Sequence, residues 1–194
     1  MKYVKLFFSI IVILLLSGCL SVPIYNAIWE TDSDGFTRYF TNDPERLNRT
    51  FWLLVGNINE ENTFQIESKK MSGAANMGFG MVFGAPSASN STFYLLTIAT
   101  TGSYRIAKRL NNEVITIRDW SRTEFLYTGF NTINTLKVIK AETTYTVFLN
   151  GNQVYQFVDA NISGNRLGFW VSIGRADVES FPGVPVDVRF RQVR

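Results

Sequence analysis

The stretch Thr143-Thr144-Tyr145-Thr146-Val147-Phe148-Leu149-Asn150-Gly151-Asn152-Gln153-Val154-Tyr155-Gln156-Phe157-Val158 decides the fold class. Alternating apolar residues flank Asn150-Gly151 on both sides, the period of a strand that buries one face. Asn-Gly suits a type I′ turn, because both central residues of that turn take positive φ. The segment therefore reads as a β-hairpin with strands over 143–149 and 152–158. Working outward, no segment after Trp29 sustains a helical period. Short runs rich in Phe, Tyr, Val, Ile and Thr alternate instead with Gly, Asn, Ser and Pro. Further strands are expected at 51–58, 63–70, 77–83, 92–99, 103–109, 113–118, 124–128, 135–140, 166–173 and 185–193. About a dozen strands exceed what one small open sheet holds, so the chain reads as an all-β, two-sheet antiparallel sandwich.

The N-terminal segment reads differently. Lys2 and Lys5 precede an apolar run of 11 residues, Leu6 to Leu16, broken only by Ser9, and Ser17-Gly18 leads to Cys19. A charged start, a short apolar core and a small-residue exit make a secretory signal, too short to span a membrane. The expected organisation is a signal over 1–18, an anchor and tether over 19–27, and a single sandwich domain over 28–194. Without the signal the formal charge falls from +3 to +1, with 17 Lys and Arg against 16 Asp and Glu. So small a charge gives no electrostatic reason to expect nucleic acid as a partner. With no His and one Cys in the chain, intrachain disulfides, Cys/His zinc sites and His-activated nucleophiles are excluded.

Leu16-Ser17-Gly18-Cys19 resembles the lipobox of bacterial lipoproteins. The resemblance implies that the Cys19 thiol carries a diacylglycerol, that the signal is cut just before it, and that the new amino group is acylated. Two or three acyl chains anchor stably where one binds reversibly. The protein is thus expected to be exported and lipid-anchored to a bacterial membrane. Leu20 in place of Asp implies the outer membrane if the organism has two.

A second resemblance rests on Phe64-Gln65-Ile66, Gly78-Phe79-Gly80-Met81-Val82-Phe83, Phe93-Tyr94-Leu95-Leu96 and Gly102-Ser103-Tyr104-Arg105-Ile106. It continues through Trp120, Asn134-Thr135-Leu136-Lys137-Val138, Phe148-Leu149-Asn150-Gly151 and Leu167-Gly168-Phe169. This order is similar to the concanavalin A-like lectin/glucanase jelly roll, and within it to LamG-like and laminarinase-like bacterial domains. The family implies two curved sheets whose concave face often meets sugars, although a fold does not carry a function by itself.

Sugar hydrolysis needs two carboxylates flanking the scissile bond, which glucanases of this family supply as Glu-x-Asp-x-x-Glu along one strand. That spacing is absent. The nearest acidic neighbours, Asp119 with Glu124 and Asp177 with Glu179, read as solvated loop charges, so no catalytic residue is assigned. Asp32-Ser33-Asp34-Gly35 clusters oxygens as a calcium loop does, but without the closing carboxylate it reads as a plain turn. No metal and no cofactor are expected.

Aromatic residues are the remaining signal, because a ring can stack on a sugar face. In 166–173 the residues Leu167, Phe169, Val171 and Ile173 share one face, which turns Trp170 to the other with Gly168 and Ser172. Trp170 suits a ligand platform or packs under a neighbouring side chain. Arg105 falls opposite Tyr104 and lines the same face as Trp170, so these two form the candidate ligand site. Tyr94, Tyr104 and Trp120 read as core. Three functions follow: a membrane-anchored, non-catalytic module binding a glycan or other extracytoplasmic ligand; a structural envelope lipoprotein that contacts another protein; and a glycoside-active enzyme on the same fold.

Overall fold

The computed structural model describes residues 28–41, 49–57, 62–87, 92–174, 177 and 184–193; the signal, Cys19 and the tether to residue 27 lie outside them. Among the described residues there are thirteen strands: β1 (Ile28–Thr31), β2 (Thr37–Thr41), β3 (Arg49–Asn57), β4 (Thr63–Ser72), β5 (Phe79–Ala85), β6 (Phe93–Ala99), β7 (Ser103–Leu110), β8 (Glu113–Arg122), β9 (Asn134–Ala141), β10 (Thr144–Leu149), β11 (Asn152–Val158), β12 (Arg166–Ile173) and β13 (Val186–Gln192). They form a seven-stranded sheet ordered β1-β2-β13-β4-β9-β10-β11 and a six-stranded sheet ordered β3-β12-β5-β6-β7-β8. Alternate residues of both sheets fill the space between them. Phe169 of β12 stacks on Phe190 of β13 with ring centroids 4.9 Å apart, and Tyr94, Tyr145 and Phe157 close the other side of the core.

The Asn150-Gly151 hairpin forms as read. Asn150 has φ 48° and Gly151 φ 84°, and a Cβ on Gly151 would meet open space. The cost of a side chain there is therefore backbone strain alone. Gly151→Val is expected to lose more than about 1 kcal/mol in denaturant unfolding, while Gly151→Asn, tolerant of the left-handed region, recovers most of it. Asn150 also works through its side chain, with Nδ2 donating to the Phe125 carbonyl at 2.7 Å and Oδ1 accepting from the Thr135 amide at 2.8 Å.

That bond explains a departure from expectation. Residues 124–128 form no strand, because side chains take up their backbone groups: Asn134 accepts from the Tyr127 amide and donates to its carbonyl, each at 2.9 Å. A second departure is the β1–β2 hairpin, which the sequence did not suggest. Its turn is Asp32-Ser33-Asp34-Gly35, where Asp32 Oδ1 accepts the amides of Asp34 and Phe36 at 3.0 and 2.8 Å.

The register sorts the connections onto two ends. Ile28 lies level with Phe40, Phe40 with Asp187, and Asp187 with Ser72. The chain therefore enters β1 at the end where β4 finishes. Segments 73–78, 100–102, 123–133 and 150–151 share that end, since Phe79 pairs with Ile98, Ser103 with Arg122, Ser68 with Asn134 and Leu136 with Leu149.

Candidate functional site

The outer face of the six-stranded sheet carries a second apolar cluster. Trp170, Val82, Phe93, Leu95 and Ala107 pack there, with Trp52 and Leu54 of β3 against them. Strand alternation puts them on this face, and cross-strand register aligns Trp170 with Trp52 on one side and Gly80 on the other. The two indoles stack at 5.8 Å with an interplanar angle of 16°, and Phe93 meets Trp170 edge-on at 6.1 Å. Arg109 lies over Trp52 with its guanidinium carbon 4.7 Å from the ring centroid. Of the two readings open for Trp170, a bare platform is the wrong one. The side chain faces outward but is 5% exposed, and only part of it borders free space.

That space is a cavity of about 390 Å³ over the end of the sheet where segment 73–78 lies, lined by Trp170, Trp120, Arg105, Thr97, Ser172 and Thr50 together with residues of segment 73–78 and of β6–β8. The structure brings Arg105 and Trp170 to the same cavity. Arg105 Nη2 donates to Thr116 Oγ1 at 2.6 Å, while its Nε is buried and has no hydrogen-bond partner. A buried N–H without an acceptor costs free energy.

Trp120 corrects the sequence reading, which placed it in the core. It is 43% exposed and forms a wall of the cavity. Its six-membered ring lies against Gly78, where an added Cβ would come within 3.1 Å of Cη2. The pairing of β7 with β8 shifts register twice, between Tyr104 and Ile106 and again between Ile106 and Ala107. The two one-residue shifts together leave the alternation of β8 unchanged, so Val114, Thr116 and Trp120 share the outer face. The expected strand stopped at 118, but β8 runs on to Arg122, and alternation carried that far places Trp120 on this face.

The acidic candidates separate. Asp119 and Glu124 are exposed, as expected, and neither lines the cavity. Glu179 lies outside the described residues. Asp177, read as solvated, is instead buried. Its Oδ1 accepts the Ala74 amide at 2.6 Å and its Oδ2 the Gly174 amide at 3.0 Å. Lys70, buried beside it, places Nζ 4.0 Å from Oδ1 and donates to the Ala74 carbonyl at 2.6 Å. Burial pulls the Lys70 ammonium down to about 8, and the Asp177 charge opposes that pull. The pair clamps segment 73–78, from which Asn76, Met77 and Gly78 reach the cavity. No group of three or more metal-ligating side chains occurs among the described residues.

Several solved structures share the fold. The carbohydrate binding module CBM66 from Bacillus subtilis aligns over 86% of this chain and 89% of its own, with TM-score 0.56 and 14% identity. The Bacillus licheniformis β-glucanase aligns over 88% and 85%, with TM-score 0.53 and 12% identity. Alginate lyase A1-II′, of polysaccharide lyase family 7, aligns over 86% and 82%, with TM-score 0.51 and 10% identity. The protein has the concanavalin A-like jelly-roll β-sandwich fold. No family model matches the chain, and no curated protein matches it.

Proposed function

We propose that this protein is a membrane-anchored extracytoplasmic lipoprotein whose sandwich binds a glycan, without cleaving it, in the cavity between Trp120 and Arg105. The observation that carries this reading is the composition of the cavity. A half-exposed indole, the Arg105 side chain and the hydroxyl residues Thr50, Thr97 and Ser172 converge on about 390 Å³, and no carboxylate is among the described residues lining it. The volume suits a small ligand. An indole face takes the C–H side of a sugar ring, and the guanidinium directs donors at hydroxyls or a carboxylate. The likeness to a carbohydrate binding module supports the reading. The anchor rests on Leu16-Ser17-Gly18-Cys19, and mass spectrometry of the membrane fraction should find an acylated Cys19. Cys19→Ser should release the protein from the membrane.

A glycan array probed with the protein tests the binding. With a glycan found there, Trp120→Ala should weaken affinity by about 1 kcal/mol or more, at least roughly fivefold, since an aromatic contact is lost. Thermal unfolding should stay near wild type, because the ring is half exposed. Affinity unchanged in Trp120→Ala, or an array without any binder, contradicts the proposal.

A further inference from the structure

We infer that the end of the sandwich formed by segment 123–133 seats on the lipid bilayer, with Tyr127, Phe130 and Ile133 in the headgroup region. This rests on the acylation of Cys19 proposed above and adds an orientation to it. Tyr127 is 60% exposed and Phe130 44%, and Ile133 and Val184 at the same end are also exposed. The opposite end carries polar turns at Asp32–Gly35, Asn111-Asn112, Glu142-Thr143 and Asp159–Asn161, and its exposed large apolar side chains, Val114, Ile115 and Val158, are aliphatic residues of strands with no ring among them. Exposed aromatic rings gathered at one end need a covering surface.

The segment cannot bury these side chains itself, because its backbone is pinned. Gly129 donates its amide to the Thr100 carbonyl at 2.9 Å and Asn131 to the Lys70 carbonyl at 2.8 Å, and Asn134 holds both backbone groups of Tyr127. The chain outside the described residues decides which surface covers them. Eight residues separate Cys19 from Ile28, and at full extension they reach about 30 Å. Ile28 enters β1 at the same end as 123–133, so a lipid on Cys19 tethers that end, and not the polar one, to the membrane. Tyr and Phe suit the interface, where an apolar ring and a polar rim are both accommodated.

The test uses the full acylated protein in phosphatidylcholine vesicles. Acylation consumes the Cys19 thiol, so Phe130→Cys and Val158→Cys each present one thiol for an environment-sensitive dye; Val158 is an exposed residue of the opposite end. The dye at 130 should shift to the blue on vesicle binding. Spin-labelled lipid should quench it several-fold more than the dye at 158. Equal quenching at the two positions, with the protein still floating with vesicles, overturns the orientation and leaves the anchor standing. A blue shift at 130 without lipid quenching means that a protein or second copy covers the segment, and overturns it too. Failure to float removes the anchor and this inference together.

Discussion

Asp177→Asn should destabilise the domain by about 3–5 kcal/mol at neutral pH, the range found when a buried ion pair loses one member. Two losses combine. The Lys70 ammonium keeps its burial but loses the opposing charge 4.0 Å away. The Ala74 and Gly174 amides also bond separate carboxylate oxygens, and an amide offers one acceptor in place of two, leaving a buried N–H facing an NH₂ group. The Lys70 share of the loss should shrink above pH 8. Lys70 has a folded pKa of about 8 against an ordinary 10.5, so between these values the unfolded chain holds a proton that the native chain has released. Stability contributed by Lys70 therefore rises with pH across that window, and below about 8 it is constant. Denaturant unfolding at pH 7 and at pH 9 should show this rise in wild type and not in Lys70→Met. In a double-mutant cycle, Asp177→Asn with Lys70→Met should cost less than the two single changes added. Because the pair clamps segment 73–78, Asp177→Asn should also weaken glycan binding, through Asn76, Met77 and Gly78 at the cavity wall.

Trp170→Ala should cost a similar amount, about 3–5 kcal/mol, by emptying a space that its neighbours cannot fill. The indole is clasped by Trp52 and Phe93, and Gly80 beside it in the register has no side chain to move in. Trp170→Phe keeps a ring against Trp52 and should recover about half of the loss. The contrast with Trp120→Ala separates the two residues: one holds the face together, and the other, under the proposed function, holds the ligand on it. Thermal unfolding of both variants measures the difference directly.

Much of the fold is legible because a two-residue period writes burial into local sequence. The Asn150-Gly151 hairpin and the outward turn of Trp170 both come from that period, and so does the shared face of Arg105. Where bonding is not local, the sequence is silent. Trp120 lies on a strand because β8 runs on to Arg122, held there by the pairing of Tyr104 with Ser121 and Ser103 with Arg122, which the sequence beyond residue 118 does not announce. Residues 124–128 look like a strand because their composition is right, yet their partners are the side chains of Asn134 and Asn150. The β1–β2 hairpin is hidden by its charges: Arg38 bonds Asp187 Oδ2 at 2.8 Å and Glu30 at 3.5 Å, so residues that look like loop charge lie along an ion-paired edge. Lys70 and Asp177 come from distant parts of the chain, and each alone reads as a surface residue; only the fold makes them a buried pair.

Under the proposed function the cavity beside Trp120 holds a glycan. A crystal structure of the domain with a glycan selected on the array tests it most directly. The expected result is a sugar ring against the Trp120 indole with an oxygen accepting from the Arg105 guanidinium. Density for the glycan on any other surface, with this cavity filled by water alone, would contradict it.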